Sequence, residues 1–106
     1  MMDIQLKRGL IEICVLAAMV KEPTYGYKLI RDVSPYMEIS ESTLYPILKR
    51  LESASCLTVT SAEHNGRLRK YYTITPIGRA RIDEFLRDWQ DIMKAYYFIE
   101  RESKHV

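Results

Sequence analysis

Apolar residues recur with a helical period in four stretches of the chain and with a two-residue period in two. Between residues 4 and 21, Leu6, Leu10, Ile13, Ala17 and Val20 form a stripe that Ile11, Cys14, Val15 and Ala18 widen, the spacing of an α-helix. So broad an apolar surface asks for cover on two sides, the domain core on one and a second subunit on the other. Pro23 ends this segment. Thr24 is placed to cap a second helix over residues 25–35, in which Gly26, Leu29, Ile30 and Val33 fall at i, i+3, i+4 and i+7. Gly26 on that stripe lets another helix approach closely, and Ser34-Pro35 closes the segment. Ile39 plugs the core from a short connection. A third helix then runs to Ala54, burying Leu44, Ile47, Leu48 and Leu51 and turning Ser42, Tyr45, Pro46, Lys49 and Ser53 the other way. Pro46 has no N–H to give a helix interior. Either Ser42 is the effective cap, then, or Ser40 caps a distorted first turn.

Residues 57–62 and 68–74 alternate as strands around Asn65-Gly66, a strong type I′ hairpin signal. With Asn65 and Gly66 as the turn, His64 pairs with Arg67, Val59 with Tyr72 and Leu57 with Ile74. Leu57, Val59, Tyr72 and Ile74 then share an apolar face. Thr58, Thr60, Ala62, His64, Arg67, Arg69, Tyr71 and Thr73 share a basic, hydroxyl-rich one. Leu68 and Lys70 fall on the Leu57 face, where Leu68 is expected to be buried. Thr75-Pro76 opens a last helix reaching Glu102. Its seam of Ile82, Phe85, Trp89, Ile92, Tyr96 and Ile99 steps by threes and fours, widened by Leu86 and Met93. Such a seam is too long for so small a domain to cover and wants a partner helix. The fold class is mainly α with a two-stranded β-hairpin: a winged helix-turn-helix over 1–75, joined in one compact unit to a long C-terminal dimerisation helix over 76–106.

The 106 residues fit one domain with a real core. At 47% hydrophobic and 28% charged, the chain is not a disordered one. Sixteen Lys and Arg against fourteen Asp and Glu give a net charge of +2. Nucleic acid would therefore have to be held by a local basic patch rather than by the whole surface. Eight tyrosines are many for this length. Cys14 and Cys56 lie far apart among apolar neighbours, without disulfide or zinc spacing, and read as buried thiols in a reducing cytoplasm. The apolar run Leu10–Val20 is broken by Glu12 and too short for a membrane span. It is followed by Lys21, Glu22 and Pro23 rather than a signal-peptide cleavage site. A cytoplasmic protein without membrane association is expected.

Several stretches together resemble the PadR family of bacterial transcriptional regulators. They are Lys-Arg-Gly-Leu-Ile-Glu-Ile-Cys-Val-Leu at 7–16, Tyr-Gly-Tyr-Lys-Leu-Ile at 25–30, Ser-Thr-Leu-Tyr-Pro-Ile-Leu-Lys-Arg-Leu-Glu at 42–52, Arg-Lys-Tyr-Tyr-Thr-Ile-Thr at 69–75, and Gly78. The likeness spans nearly the whole chain, whose length looks like that of the short subfamily with one C-terminal helix. It implies a homodimer acting on a palindromic operator in double-stranded DNA, usually as a repressor. Two departures stand out. Ser55 replaces a usual Gly where a left-handed C-cap is common, and the wing reads Arg67-Leu68-Arg69 where Arg-Pro-Arg is frequent.

On periodicity alone Ser42, Thr43, Tyr45 and Lys49 are a solvated face; with the resemblance they become the DNA-reading one. Ser42 and Thr43 would hold phosphate with the helix N-terminal amides. Tyr45 would touch base or backbone, and Lys49 a guanine edge or a phosphate. Arg67, Arg69 and Lys70, with His64 when protonated, charge the hairpin tip for a minor groove or a phosphate run. Tyr25 and Lys28, opening the second helix, are weaker candidates for the phosphate backbone. In the last helix Ile82, Phe85, Leu86, Trp89, Ile92, Met93 and Tyr96 read first as a plain dimer seam. The resemblance adds a second use for them. In some multidrug-responsive members a Trp at the place of Trp89, eleven residues after Gly78, stacks on flat ligands in a pore between subunits. A small hydrophobic effector is accordingly a further expected partner. No catalytic constellation, metal spacing or cofactor motif is visible, so no enzyme, metal or cofactor is expected. The competing class, a winged helix kept for protein interaction, is disfavoured by the basic face of Arg67 and Arg69.

Overall fold

The computed structural model describes residues 2–105 and runs α1 (Ile4–Ala17), α2 (Gly26–Val33), α3 (Glu41–Ser53), β1 (Leu57–His64), β2 (Arg67–Ile74) and α4 (Pro76–Ser103). α1 is capped by the Asp3 carboxylate, which accepts from the Gln5 and Leu6 amides. It stops at Ala17, short of the expected residue 21. There the Met19 and Val20 amides bond back to Leu16 and Ala17, tightening the turn that leads to Pro23. α2 is also shorter than expected, and Thr24 is not its cap. Tyr25 takes the N-cap position, without a side-chain hydrogen bond, because Thr24 is used elsewhere. Its backbone exchanges both hydrogen bonds with Tyr72, at 3.0 and 2.7 Å. Thr24 thereby adds a one-residue third strand to the hairpin and fixes the wing against α2.

At α3 the structure selects Ser40 as N-cap. Pro46 then lies inside the helix but on its exposed side. The helix ends in a Schellman motif: Cys56 N–H bonds to Leu51 C=O and Ser55 N–H to Glu52 C=O, both at 2.9 Å, with Ser55 at φ +61°. This is the left-handed position where a glycine is usual. Asn65 and Gly66 both take positive φ, 51° and 78°, as a type I′ turn requires. The hairpin register is the expected one, Leu57 opposite Ile74, Val59 opposite Tyr72 and His64 opposite Arg67. Both strands extend to the turn itself.

One core joins the elements: Ile11, Val15, Leu16, Met19, Leu29, Val33, Ile39, Leu44, Ile47, Leu48, Leu51, Cys56, Leu57 and Tyr72. Leu68 is not part of it. It lies on the Leu57 face but is 82% exposed, because the wing runs on past the end of the helices that cover its base. Cys56 is buried as expected, whereas Cys14 is only half-buried; both are free thiols, and burial pushes the Cys14 thiol up.

α4 is rooted in the domain and then leaves it. Thr75 Oγ1 donates to Ser55 C=O at 2.6 Å and accepts from Gly78 N–H at 3.1 Å. Gly78 is buried against the Cys56 carbonyl, which a Cβ there would strike. Further along, the α4 side chains emerge. Leu86, Ile92, Tyr96, Tyr97, Phe98 and Ile99 are each about half exposed or more. The radius of gyration is 16.6 Å, against about 13 Å for a compact domain near this length. Among the described residues no helix is long and apolar enough to cross a membrane.

Candidate nucleic-acid interface

Glu12 is the one buried charged residue among those described, and it positions the recognition helix. Its carboxylate accepts from Arg50 Nε of α3 at 3.1 Å and from Arg81 Nη2 of α4 at 2.9 Å. A carboxylate in an apolar stripe costs several kcal/mol unless paired. That requirement is the sequence signal for this cluster, but its two partners lie too far along the chain to be inferred from spacing.

α3 packs on α2 and on the hairpin base. Tyr45 is about half exposed and lies across the first turn of α2, where a Cβ on Gly26 would come within 2.7 Å of its hydroxyl oxygen. The close approach anticipated at Gly26 is thus made by Tyr45. Two adjoining depressions follow α3 along the wing. One, of about 770 Å³, is lined by Tyr25, Tyr27, Tyr45, His64, Arg67 and Arg69 among others. The second, of about 420 Å³, lies between Tyr45, Lys49 and Glu52 of α3 and Val59, Lys70 and Tyr72 of the wing. They share Tyr45, Lys70 and Tyr72, and so form one groove.

The groove brings together most of the expected contact residues. Lys70, which shares the Leu57 face, stands opposite Lys49 on the inner side of the wing, and both are exposed. Arg67 and His64 are exposed at the tip. Arg69 is less free than expected: its guanidinium stacks 4.0 Å from the Tyr25 ring centroid, and Tyr25 meets Tyr71 edge-on at 5.9 Å. This Tyr71–Tyr25–Arg69 stack holds the wing beside α2 and accounts for part of the tyrosine excess. Burial, then Tyr45 and Glu52 nearby, push the Tyr72 phenol up, so it remains protonated at neutral pH.

Ser42 and Thr43 lie at the start of α3, where their hydroxyls meet Ser40 Oγ at 3.0 and 3.2 Å. No side chain caps the first-turn amides. Lys28 stands apart from the groove. It pairs with Asp32 at 3.3 Å and Glu22 at 3.7 Å, and lines a different depression, between α1 and α2. On α4, Phe85 and Trp89 stack at 5.6 Å with planes 19° apart, and Ile82 packs on the core. Among the described residues no group of His, Cys, Asp or Glu is placed to hold a metal ion.

Three helices, a charged wing and an outward-facing third helix define a winged helix-turn-helix protein of the DNA-binding type. The model of the transcriptional regulator PadR-like family matches residues 15–84, and the chain belongs to this family. It is similar to a transcriptional regulator of Mycobacterium tuberculosis, 29% identical over 91 residues, with 85% of each chain covered. Among solved structures it resembles a PadR-like transcription factor from Bacteroides fragilis, with a TM-score of 0.79, 30% identity, and 90% of this chain and 94% of that one covered. A PadR family regulator from Clostridium difficile superposes with a TM-score of 0.77 at 28% identity, covering 84% of this chain and 96% of that one. The chain is accordingly a DNA-binding transcriptional regulator and not an enzyme.

Proposed function

We propose that the protein is a homodimeric repressor that reads a palindromic operator with α3 and grips the flanking backbone with its wing. The observation that carries this reading is the continuous groove in which Tyr45 and Lys49 of α3 face Lys70 of the wing, with Arg67 and Arg69 at its outer edge. Ser42 and Thr43, beside the uncapped α3 amides, supply phosphate contacts at the helix start. Support for the dimer is the apolar face of α4, where Leu86, Ile92, Tyr96 and Ile99 are 54, 49, 50 and 62% exposed in a single chain. Burying such a side chain from full exposure is worth about 1.5–3 kcal/mol, so covering the half that remains exposed is worth roughly half of that for each. In such a dimer the two α3 helices would enter successive major grooves, about 34–36 Å apart. A repressor of this form acts by occupying its site. Release by a flat hydrophobic ligand has a narrower basis: Phe85, which stacks on Trp89, borders a depression of about 330 Å³ between α1 and α4.

The deciding experiment is a pair of titrations, one with the palindrome upstream of the protein's own reading frame and one with a scrambled duplex at the same salt. Lys49→Ala removes an exposed side chain, and Tyr45→Phe keeps the ring on Gly26 while losing the hydroxyl. Removing a base-reading hydrogen bond costs about 1–3 kcal/mol, ten- to a hundredfold in operator affinity, with much less effect on scrambled DNA. Folded variants that retain the full wild-type preference would show that α3 does not read the operator through this face. A wild-type chain sedimenting as a monomer at micromolar concentration would overturn the dimer.

A further inference from the structure

We infer that Lys7 and Arg8 of α1 form a second phosphate clamp, on the flank of α3 opposite the wing. The inference rests on the DNA-binding reading above and adds residues that neither the motifs nor the groove assigned.

Ile4, Lys7, Arg8 and Ile11 follow one another at i, i+3, i+4 and i+7, and so share a face of α1. Ile11 is buried in the core, which turns this face toward α3. Between the two helices lies a depression of about 310 Å³, whose lining includes Lys7, Arg8, Ser42, Thr43 and Pro46. Pro46 also borders the wing-side groove. The exposed ridge of α3 is therefore flanked twice, by Lys70 and the wing arginines on one side and by Lys7 and Arg8 on the other. Both α1 side chains are exposed, and neither enters an ion pair among the described residues. Arg50, the third cation of the depression, is engaged by Glu12. Glu38 also lines it, leaving the two free cations of α1 in excess.

A helix seated in a major groove, about 12 Å wide, has a phosphate rail on each side. The wing can follow only one of them. Lys7 and Arg8, next to the Ser42 and Thr43 hydroxyls, stand where the other rail would pass. The face of α1 that lines the depression against α4, with Leu6, Leu10 and Ile13, is the opposite one, so the proposed seam on α4 would leave Lys7 and Arg8 free.

The test uses the full chain with Lys7→Ala and Arg8→Ala combined, and a mixed-sequence DNA duplex three helical turns long. Affinity is measured over a series of salt concentrations. The slope of log affinity against log salt should fall in magnitude by about one unit for each phosphate that a subunit no longer holds, with the melting temperature unchanged. Ethylation interference on the same duplex should place the released phosphates across the major groove from those released in Arg67→Ala. Wild-type slope in a folded double variant overturns the clamp while leaving the DNA reading intact. Release of the same phosphates as in Arg67→Ala also overturns it. Wild-type protein without salt-dependent binding removes the DNA reading itself. If the alanine pair melts early, Lys7→Gln with Arg8→Gln, which keeps the long stems, gives the same slope test.

Discussion

Neutralising Glu12 measures how firmly the recognition helix is tied to the rest of the molecule. The carboxylate is 11% exposed, whereas the Arg50 and Arg81 side chains it joins are 46 and 41% exposed. Each charge-assisted hydrogen bond contributes roughly 1.5–3 kcal/mol. Two would give about twice that, but the arginines remain half in water, which weakens the attraction, and burying the carboxylate has its own desolvation cost. The net loss expected for Glu12→Gln, which keeps the shape and one acceptor, is about 1–2 kcal/mol. For a domain of this size that lowers the melting temperature by roughly 5–10 °C. The assay is thermal unfolding at fixed protein concentration, first at low salt and then near 1 M, where the screening length falls to about 3 Å. The gap between wild type and variant should narrow at high salt. A variant that melts with wild type at low salt would refute the electrostatic account of this cluster.

Other substitutions test separate joints. Ser55→Gly should stabilise the protein by about 0.5–1 kcal/mol, since it relieves a non-glycine residue at φ +61°; a lowered melting temperature would contradict this. Gly78→Ala should destabilise by about 2–3 kcal/mol, because the new methyl meets the Cys56 backbone carbonyl rather than a side chain that can move, and denaturant midpoints would show it. Arg67→Ala should weaken binding to operator and scrambled DNA alike and flatten the salt dependence by about one unit per phosphate released. Leu68→Ser, at an 82% exposed position, should leave stability within about 0.5 kcal/mol of wild type.

The fold is legible wherever a short-range rule suffices. Helical periodicity identifies Leu44, Ile47, Leu48 and Leu51, and the Asn65-Gly66 turn sets the register from Leu57 opposite Ile74 outward. The departures share a different origin. Thr24 looks like a helix cap because its partner, Tyr72, is a single residue far along the chain, and one bridge leaves no periodic trace. Alternation puts Leu68 on the apolar face but does not tell how far the core extends beneath that face. Within the candidate site, the residue types along α3 and the wing are legible. The Arg69–Tyr25 stack and the inward station of Lys70 are not, since both depend on how the wing leans against α2 and α3.

These joints also say how a change on the dimer helix would reach the DNA-reading helix. The root of α4 is tied to the end of α3 by several contacts, among them a Thr75 N–H to Cys56 C=O hydrogen bond at 3.0 Å. Thr75 Oγ1 bonds to Ser55, Gly78 is pressed on the Cys56 carbonyl, and Glu12 bridges Arg81 to Arg50. Ser55 and Cys56 are themselves the Schellman turn that ends α3. None of these contacts involves a flexible linker, so α3 and the first turns of α4 are expected to move as one body. The distal part of α4, where Ile92, Tyr96 and Ile99 emerge, has no such restraint within a single chain. In the proposed dimer, a small rotation of one α4 against the other would therefore be carried to α3 with little loss. It would be read as a change in the spacing between the two recognition helices, which the fixed pitch of B-DNA does not tolerate. Coupling of this kind needs no rearrangement inside either subunit. It requires that the bodies be stiff, which the ties at the root of α4 favour, and that the seam between the exposed halves of the two α4 helices be adjustable.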